Sequence, residues 1–158
     1  MTEKKILSYD DIRVFESEYL AGGFKNDDIR IDAIEIDGDS LKASCSMVSH
    51  YIPPDGGFHL SVPIAFMAVA QIVIAWSHIE NGLTKKESEV WLTRFDLRCA
   101  KPVTSTTGIS IRIARTAKRA MNGGVFYLGN VDIADGSFKG KASFFLPLIA
   151  GGGSAVKS

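Results

Sequence analysis

Along this chain the spacing of apolar positions switches between two periods, and each switch marks an element. IRIDAIEI (29–36) and LKASCSMV (41–48) alternate apolar and polar residues around Asp37-Gly38, which predicts a β-hairpin of half-buried strands. From Val62 to His78 alternation gives way to a nearly continuous apolar run. Ser61 as N-cap, Pro63 in the first turn and Asn81-Gly82 as the stop make it one long helix. Alternation returns in SEVWLTRFDLRCA (88–100), a strand ended by Lys101-Pro102. GISIRIARTAKR (108–119) and GGVFYLGNVDIA (123–134) read as strands across an Asn122-Gly123 turn, and SFKGKASFFLPL (137–148) as a last strand after Asp135-Gly136. Ahead of these, Ser8-Tyr9-Asp10-Asp11 before IRVFESEYL predicts a short capped helix ending near Gly22-Gly23.

A helix apolar on every side must be buried on every side. The predicted order is a short helix, a hairpin, a buried helix, then three or four antiparallel strands. A curved antiparallel sheet wrapped about the central helix satisfies that order, with a partner subunit covering what the sheet leaves bare. The 17-residue run from Val62 to His78 carries Gln71 and falls short of the ~20 residues that span a bilayer, so no membrane span is expected. No internal repeat is visible. Residues 1–149 read as a single α+β domain, and residues 150–158, with GGGSAVKS, as a flexible tail.

Composition changes this picture little. A hydrophobic content of 46% with 23% charged residues is ordinary for a globular domain, and a formal net charge of zero points to neither nucleic acid nor an acidic tail. Cys45 and Cys99 are isolated, which suits a reducing compartment. MTEKKILSYDD lacks an apolar run of signal-peptide length, and the expected location is cytoplasmic. The three histidines are scattered without ligand spacing, so neither metal nor cofactor is expected. The neutral total is unevenly spread. Residues 1–60 carry 12 acids against 6 bases, and residues 94–119 carry seven bases against Asp96 alone. The basic stretch is either a solvated strand face or a landing strip for a phosphate-bearing partner, with Arg115 and Lys118 as its candidates.

The candidate chemistry gathers in YIPPDGGFHLSVPIAFMAVAQ (51–71), where a turn-rich segment with a histidine opens directly onto the apolar helix. The order of elements around it resembles the hotdog fold, in which a curved sheet wraps one helix. DLRCAKPVTSTTGISIRI (96–113) resembles the Phe-x-Arg-Pro-then-strand signature of β-hydroxyacyl-acyl-carrier-protein dehydratases, and Ala70-Gln71 resembles the Ala-Gln pair of their helix. Tyr51-Ile52 followed by Gly56-Gly57-Phe58-His59 is similar to a stretch of the long-chain fatty acyl-CoA thioesterase family. These resemblances imply an acyl thioester of coenzyme A or acyl carrier protein as substrate. They also imply a homodimer or dimer of dimers, with active sites beside the helix N-terminus at the subunit interface.

The departures from those families bear on the reaction. The dehydratases pair a loop histidine with an acid inside the helix, and here the acid's place falls on Met67, with no Asp or Glu from Val62 to His78. The family histidine falls on Gly57, unless His59 or His50 takes its part. Thioester hydrolysis asks less of side chains: a water, a base, and N–H donors for the oxyanion. The helix N-terminus offers such donors, and Gly56 and Gly57 let backbone approach the thioester. Asp55 is a candidate base and His59 a candidate base or acid, while Gln71 could hold a water; Tyr51 and Phe58 could line the pocket. Each has a plainer reading. Asp55 suits a Pro-Asp-Gly turn, His59 a hydrogen bond at the helix start, and Gln71 any polar partner, since leaving it unsatisfied on a buried helix costs about 1–3 kcal/mol. The expected function is thioesterase. A divergent dehydratase or hydratase is the alternative, and an acyl-binding or assembly subunit without activity is a third.

Overall fold

The computed structural model describes residues 8–54 and 56–148. The hairpin forms as its alternation requires: β1 (Asp28–Asp37) pairs antiparallel with β2 (Ser40–Ser49), with Ile36 opposite Leu41 and Asp37 opposite Ser40. Gly38 takes the left-handed conformation that closes the turn (φ +53°). After the helix come β3 (Trp91–Cys99), β4 (Ile109–Met121), β5 (Gly124–Ile133) and β6 (Phe138–Pro147). The six strands form one antiparallel sheet in the order β1-β2-β4-β5-β6-β3, bent by register shifts in β1, β3 and β4. Its inner face carries the alternate positions that the pattern marked as apolar, among them Leu41, Ile111, Ile113, Tyr127, Ile133, Phe144 and Leu146.

One long helix, α3 in the numbering that follows (Val62–Glu80), lies against that face, making the hotdog architecture. Ile64, Ala65, Ala68, Val69, Ile72, Val73 and Trp76 recur along one side of it and are buried. Burying an Ile or Val side chain is worth about 1.5–3 kcal/mol, so this stripe is what seats the helix. The opposite side corrects the expectation of all-round burial: Val62, Phe66, Met67 and Ile79 are 38–57% exposed. A single six-stranded sheet has only one concave face to offer, so a helix apolar all round keeps an uncovered side. At 19 residues α3 is long and apolar enough to cross a membrane, and half of its most apolar stretch is buried inside the protein.

The N-terminal helix is not continuous. It divides into α1 (Tyr9–Arg13) and α2 (Glu18–Ala21), followed by a 3-10 turn at Gly23–Asn26. Ser8 and Asp11 form the capping box of α1, and Ser17 accepts from the Leu20 amide to start α2. That second cap ends the first helix early. This segment then delivers Tyr19 and Asp27 to the start of α3.

Candidate active site

The region before α3 is built on hydrogen bonds that cross from the N-terminal segment. Tyr19 Oη donates to Asp27 Oδ2 (2.8 Å) and lies 2.5 Å from Ser61 Oγ. The Tyr51 amide donates to Asp27 Oδ1 (2.7 Å), and the Tyr51 hydroxyl to Glu18 (3.0 Å). An ionised carboxylate only accepts, so Tyr19 gives its one proton to Asp27, and Ser61 must donate to Tyr19. Ser61 is therefore engaged away from its helix and makes no side-chain cap bond to α3. The first-turn amides of Val62 and Ile64 have no acceptor within the helix, and Pro63 has no N–H. Burial pushes the Tyr19 hydroxyl above its ordinary pKa, opposed by the bond from Ser61 and reinforced by Asp27. Tyr19 remains a donor at neutral pH.

Tyr51 is held from the other side by Gly23. A Cβ at that buried glycine would sit 2.8 Å from Tyr51 Cδ2, closer than side chains tolerate. The Gly22-Gly23 pair thus does more than end a helix, because it makes the space in which the Tyr51 ring lies. The Tyr19 and Tyr51 rings are 5.7 Å apart.

These side chains wall a cavity of about 380 Å³ together with Pro53, Pro54 and His59. Two further spaces meet it. A cleft of about 480 Å³ runs between β1 and α3, lined by Asp27, Ile29, Ile31, Met67, Ala68 and Gln71. A groove of about 490 Å³ joins Tyr19, His59, Ser61 and Val62 to the chain between Cys99 and Pro102. His59 is exposed where the cavity and the groove meet, while His50 lies behind it, its ring 4.8 Å from Phe58. Phe58 packs on the core rather than into the open cavity.

Gln71 is exposed on the outer side of α3. The expectation of a buried amide needing a protein partner is corrected, since the residue is open to solvent. Gly56 closes a turn with Pro53 (2.8 Å, φ +79°), and Gly57 follows it into the loop. Asp55 lies outside the described residues. Among those described, Tyr51 and His59 line one cavity before α3, while Gln71 lies farther along the helix in the adjoining cleft; Asp27 and Tyr19 are residues that sequence reasoning did not single out, and Ser61, expected as an N-cap, bonds Tyr19 instead. Asp27 lies just before β1, two residues ahead of the alternation, and carries no motif of its own; only the fold brings it to the helix.

No protein-family model and no curated protein sequence matches the chain. Among solved structures it is similar to a crystal structure of a thioesterase from Haemophilus influenzae, at 17% identity and a TM-score of 0.46, over 94% of this chain and 97% of that one.

Arg115 and Lys118 lie apart from the loop, at the other end of α3. Arg115 pairs with Glu80, the last residue of that helix, and with Asp39, and its guanidinium stands 5.7 Å from the centre of the Trp76 ring. Lys118 Nζ is 3.5 Å from Glu80 and 5.6 Å from the centre of the Tyr127 ring. At 1.5 Å per residue, the helix separates these cations from Ser61 by about 28 Å. Elsewhere in the basic stretch Arg94 pairs with Asp96 (2.7 Å) and Arg112 with Asp135. His78 and Trp76 are buried, whereas Trp91 is 61% exposed on the edge strand β3.

Proposed function

We propose that this protein hydrolyses acyl thioesters at the start of α3, with the substrate carried by coenzyme A or acyl carrier protein in a reducing, cytoplasmic compartment. The observation that carries the reading is the opening of the uncapped α3 N-terminus beside His59. Two amides there lack intrahelical acceptors and stand at the positive end of a 19-residue helix, an arrangement that stabilises the oxyanion of a tetrahedral intermediate. The cleft along Ile29, Ile31, Met67 and Ala68 is mostly apolar and suits an acyl chain. Tyr51, Gly56 and Gly57 form the lip over the thioester, His59 serves the departing thiol, and Gln71 orders water in the cleft. A homodimer, formed over the bare side of α3, would close the cleft from outside.

A second reading rests on one observation: His59 and a carboxylate, Asp27, line the same cavity, and a histidine with an acid is the equipment of a hydratase or dehydratase. One experiment separates the two. The protein is incubated with saturated acyl-CoAs of graded length while free thiol is followed, and with enoyl-CoAs while enoyl absorbance is followed. Thiol release from saturated substrates supports hydrolysis. Loss of enoyl absorbance without thiol release replaces it by hydration, and binding without either leaves an acyl-binding subunit.

A further inference from the structure

The central helix brings no carboxylate to the cavity, yet the N-terminal segment supplies two, Glu18 and Asp27. Between Val62 and Ile79 α3 has neither Asp nor Glu, and Glu80 is engaged with Arg115 at the far end. Asp27, the last residue before β1, lines both the cavity that contains His59 and the cleft that contains Met67 and Gln71. Among the described residues it is the one that lines both spaces, Glu18 lining only the cavity and Asp28 only the cleft, so it stands where an acyl chain in the cleft would meet the head of the cavity. We propose that Asp27 is the general base of the hydrolysis, supplied from the N-terminal segment in place of a helix acid. The inference rests on the thioesterase reading above.

The geometry of Asp27 suits that task. Tyr19 holds one oxygen (2.8 Å) and the Tyr51 amide the other (2.7 Å), which fixes the rotamer. Each carboxylate oxygen has a second lone pair, so both anchors leave acceptor capacity for a water. Gly23 keeps Tyr51 in place, and Ser61 joins the network to the first residue before α3. The network that anchors the carboxylate thus ends at Ser61, the residue that precedes the uncapped amides of α3.

The step balances without any other reagent. Asp27 takes a proton from water as the water oxygen bonds to the thioester carbonyl carbon, and the resulting oxyanion is held by the amides of Val62 and Ile64. When the intermediate collapses, the C–S bond breaks with its electron pair on sulfur, and the proton on Asp27 passes by way of His59, which lines the same cavity, to the thiolate. Carboxylic acid and thiol leave, and Asp27 is again ionised.

The test compares wild type, Asp27→Asn and Asp27→Ala in thiol release across pH. The expected result for Asp27→Asn is a fall in kcat of about 100-fold or more with KM little changed, and loss of the acidic limb of the kcat/KM profile. Turnover of Asp27→Ala is expected to be restored in part by added formate, which a purely structural role would not allow. Circular dichroism and Tm of both variants, read beside the wild type, separate loss of the base from loss of the fold, and formate rescue requires a folded site. Wild-type activity that Asp27→Asn retains within about threefold, or a folded Asp27→Ala that formate does not restore, overturns the role of Asp27 and leaves the thioesterase reading intact. Absence of thiol release from the wild type overturns the thioesterase reading, and the inference with it.

Discussion

Arg115 and Glu80 form an ion pair in which both side chains are largely withdrawn from water, 15% and 19% exposed. Nη1 of Arg115 makes no well-aligned hydrogen bond, so the contact is held by charge and by the Trp76 ring beneath it. Removing one member leaves the other in a poorly solvated place with only its more exposed second partner, Asp39 for Arg115 or Lys118 for Glu80. Arg115→Ala or Glu80→Gln is expected to lower unfolding stability by about 3 kcal/mol, read by urea denaturation, whereas Lys118→Ala changes it by less than about 1 kcal/mol. If Arg115→Ala leaves stability unchanged but weakens binding of coenzyme A, the pair is not structural and the basic stretch is the phosphate site.

Gly23→Ala is expected to act at a distance from its own position. The added methyl would press on the Tyr51 ring, displacing its hydroxyl from Glu18 and disturbing the residue whose backbone amide anchors Asp27. Overpacking of this kind costs about 1–3 kcal/mol. Thiol release should fall together with Tm, and Tyr51→Ala in the same chain should recover much of the lost stability. No recovery in the double variant means that the ring is not what the methyl meets.

The two cysteines should behave differently toward a thiol reagent. Both are free; Cys99 is exposed, while burial, with the charge of Asp32, pushes Cys45 up to about 11. At pH 8 one thiol should react rapidly in the native protein and the second only after denaturation. Tyr19 and Tyr127 are likewise raised, chiefly by burial. All three groups are neutral when protonated and hold their protons more tightly folded than unfolded. Their contribution is therefore complete below the ordinary values of 9.0 for the thiol and 10.0 for the phenols, and is lost as pH rises through the folded values. Chemical denaturation should show a plateau to about pH 9 and a decline above it.

The bare side of α3 predicts self-association. Phe66 is partly exposed with its ring 5.2 Å from Phe95 of the edge strand β3, and Met67 and Val62 are exposed near it on the same helix. Phe66→Asp is expected to shift sedimentation from a dimer toward a monomer while leaving the circular dichroism of the fold unchanged. A wild type that sediments as a monomer at all concentrations sinks this prediction.

Much of the fold was legible because its signals are local. The turns at Asp37-Gly38, Asn122-Gly123 and Asp135-Gly136 and the alternating strands need no tertiary information, and every strand predicted from alternation forms within a few residues of its expected ends. The break between α1 and α2 was missed because Ser17 competes as a second cap inside a pattern that otherwise looks helical. Full burial of α3 was read from its composition, but coverage depends on how many faces surround a helix, which no periodicity records. The site was half legible for the same reason. His59, Gly56 and Tyr51 announce themselves in one turn-rich stretch beside the helix. Asp27 lies 34 positions before Ser61 and reaches it only through Tyr19, so its neighbourhood exists only in the folded chain.

The strand order carries a consequence for how the chain folds. β4, β5 and β6 follow one another through tight turns, so they can pair early at little loss of chain entropy. β3 precedes all three in sequence yet pairs with β6 at the far edge, after α3 has crossed from the hairpin side. The meander is therefore expected to be formed in the folding transition state and the β3 edge to close late. Truncations such as Val131→Ala in β5 should slow refolding, and Leu97→Ala in β3 should mainly speed unfolding; the opposite pattern in stopped-flow kinetics excludes this order. An edge that closes last is also the first to open, so the strand beside Phe66 and Phe95 would lead both the assembly of the molecule and its unravelling.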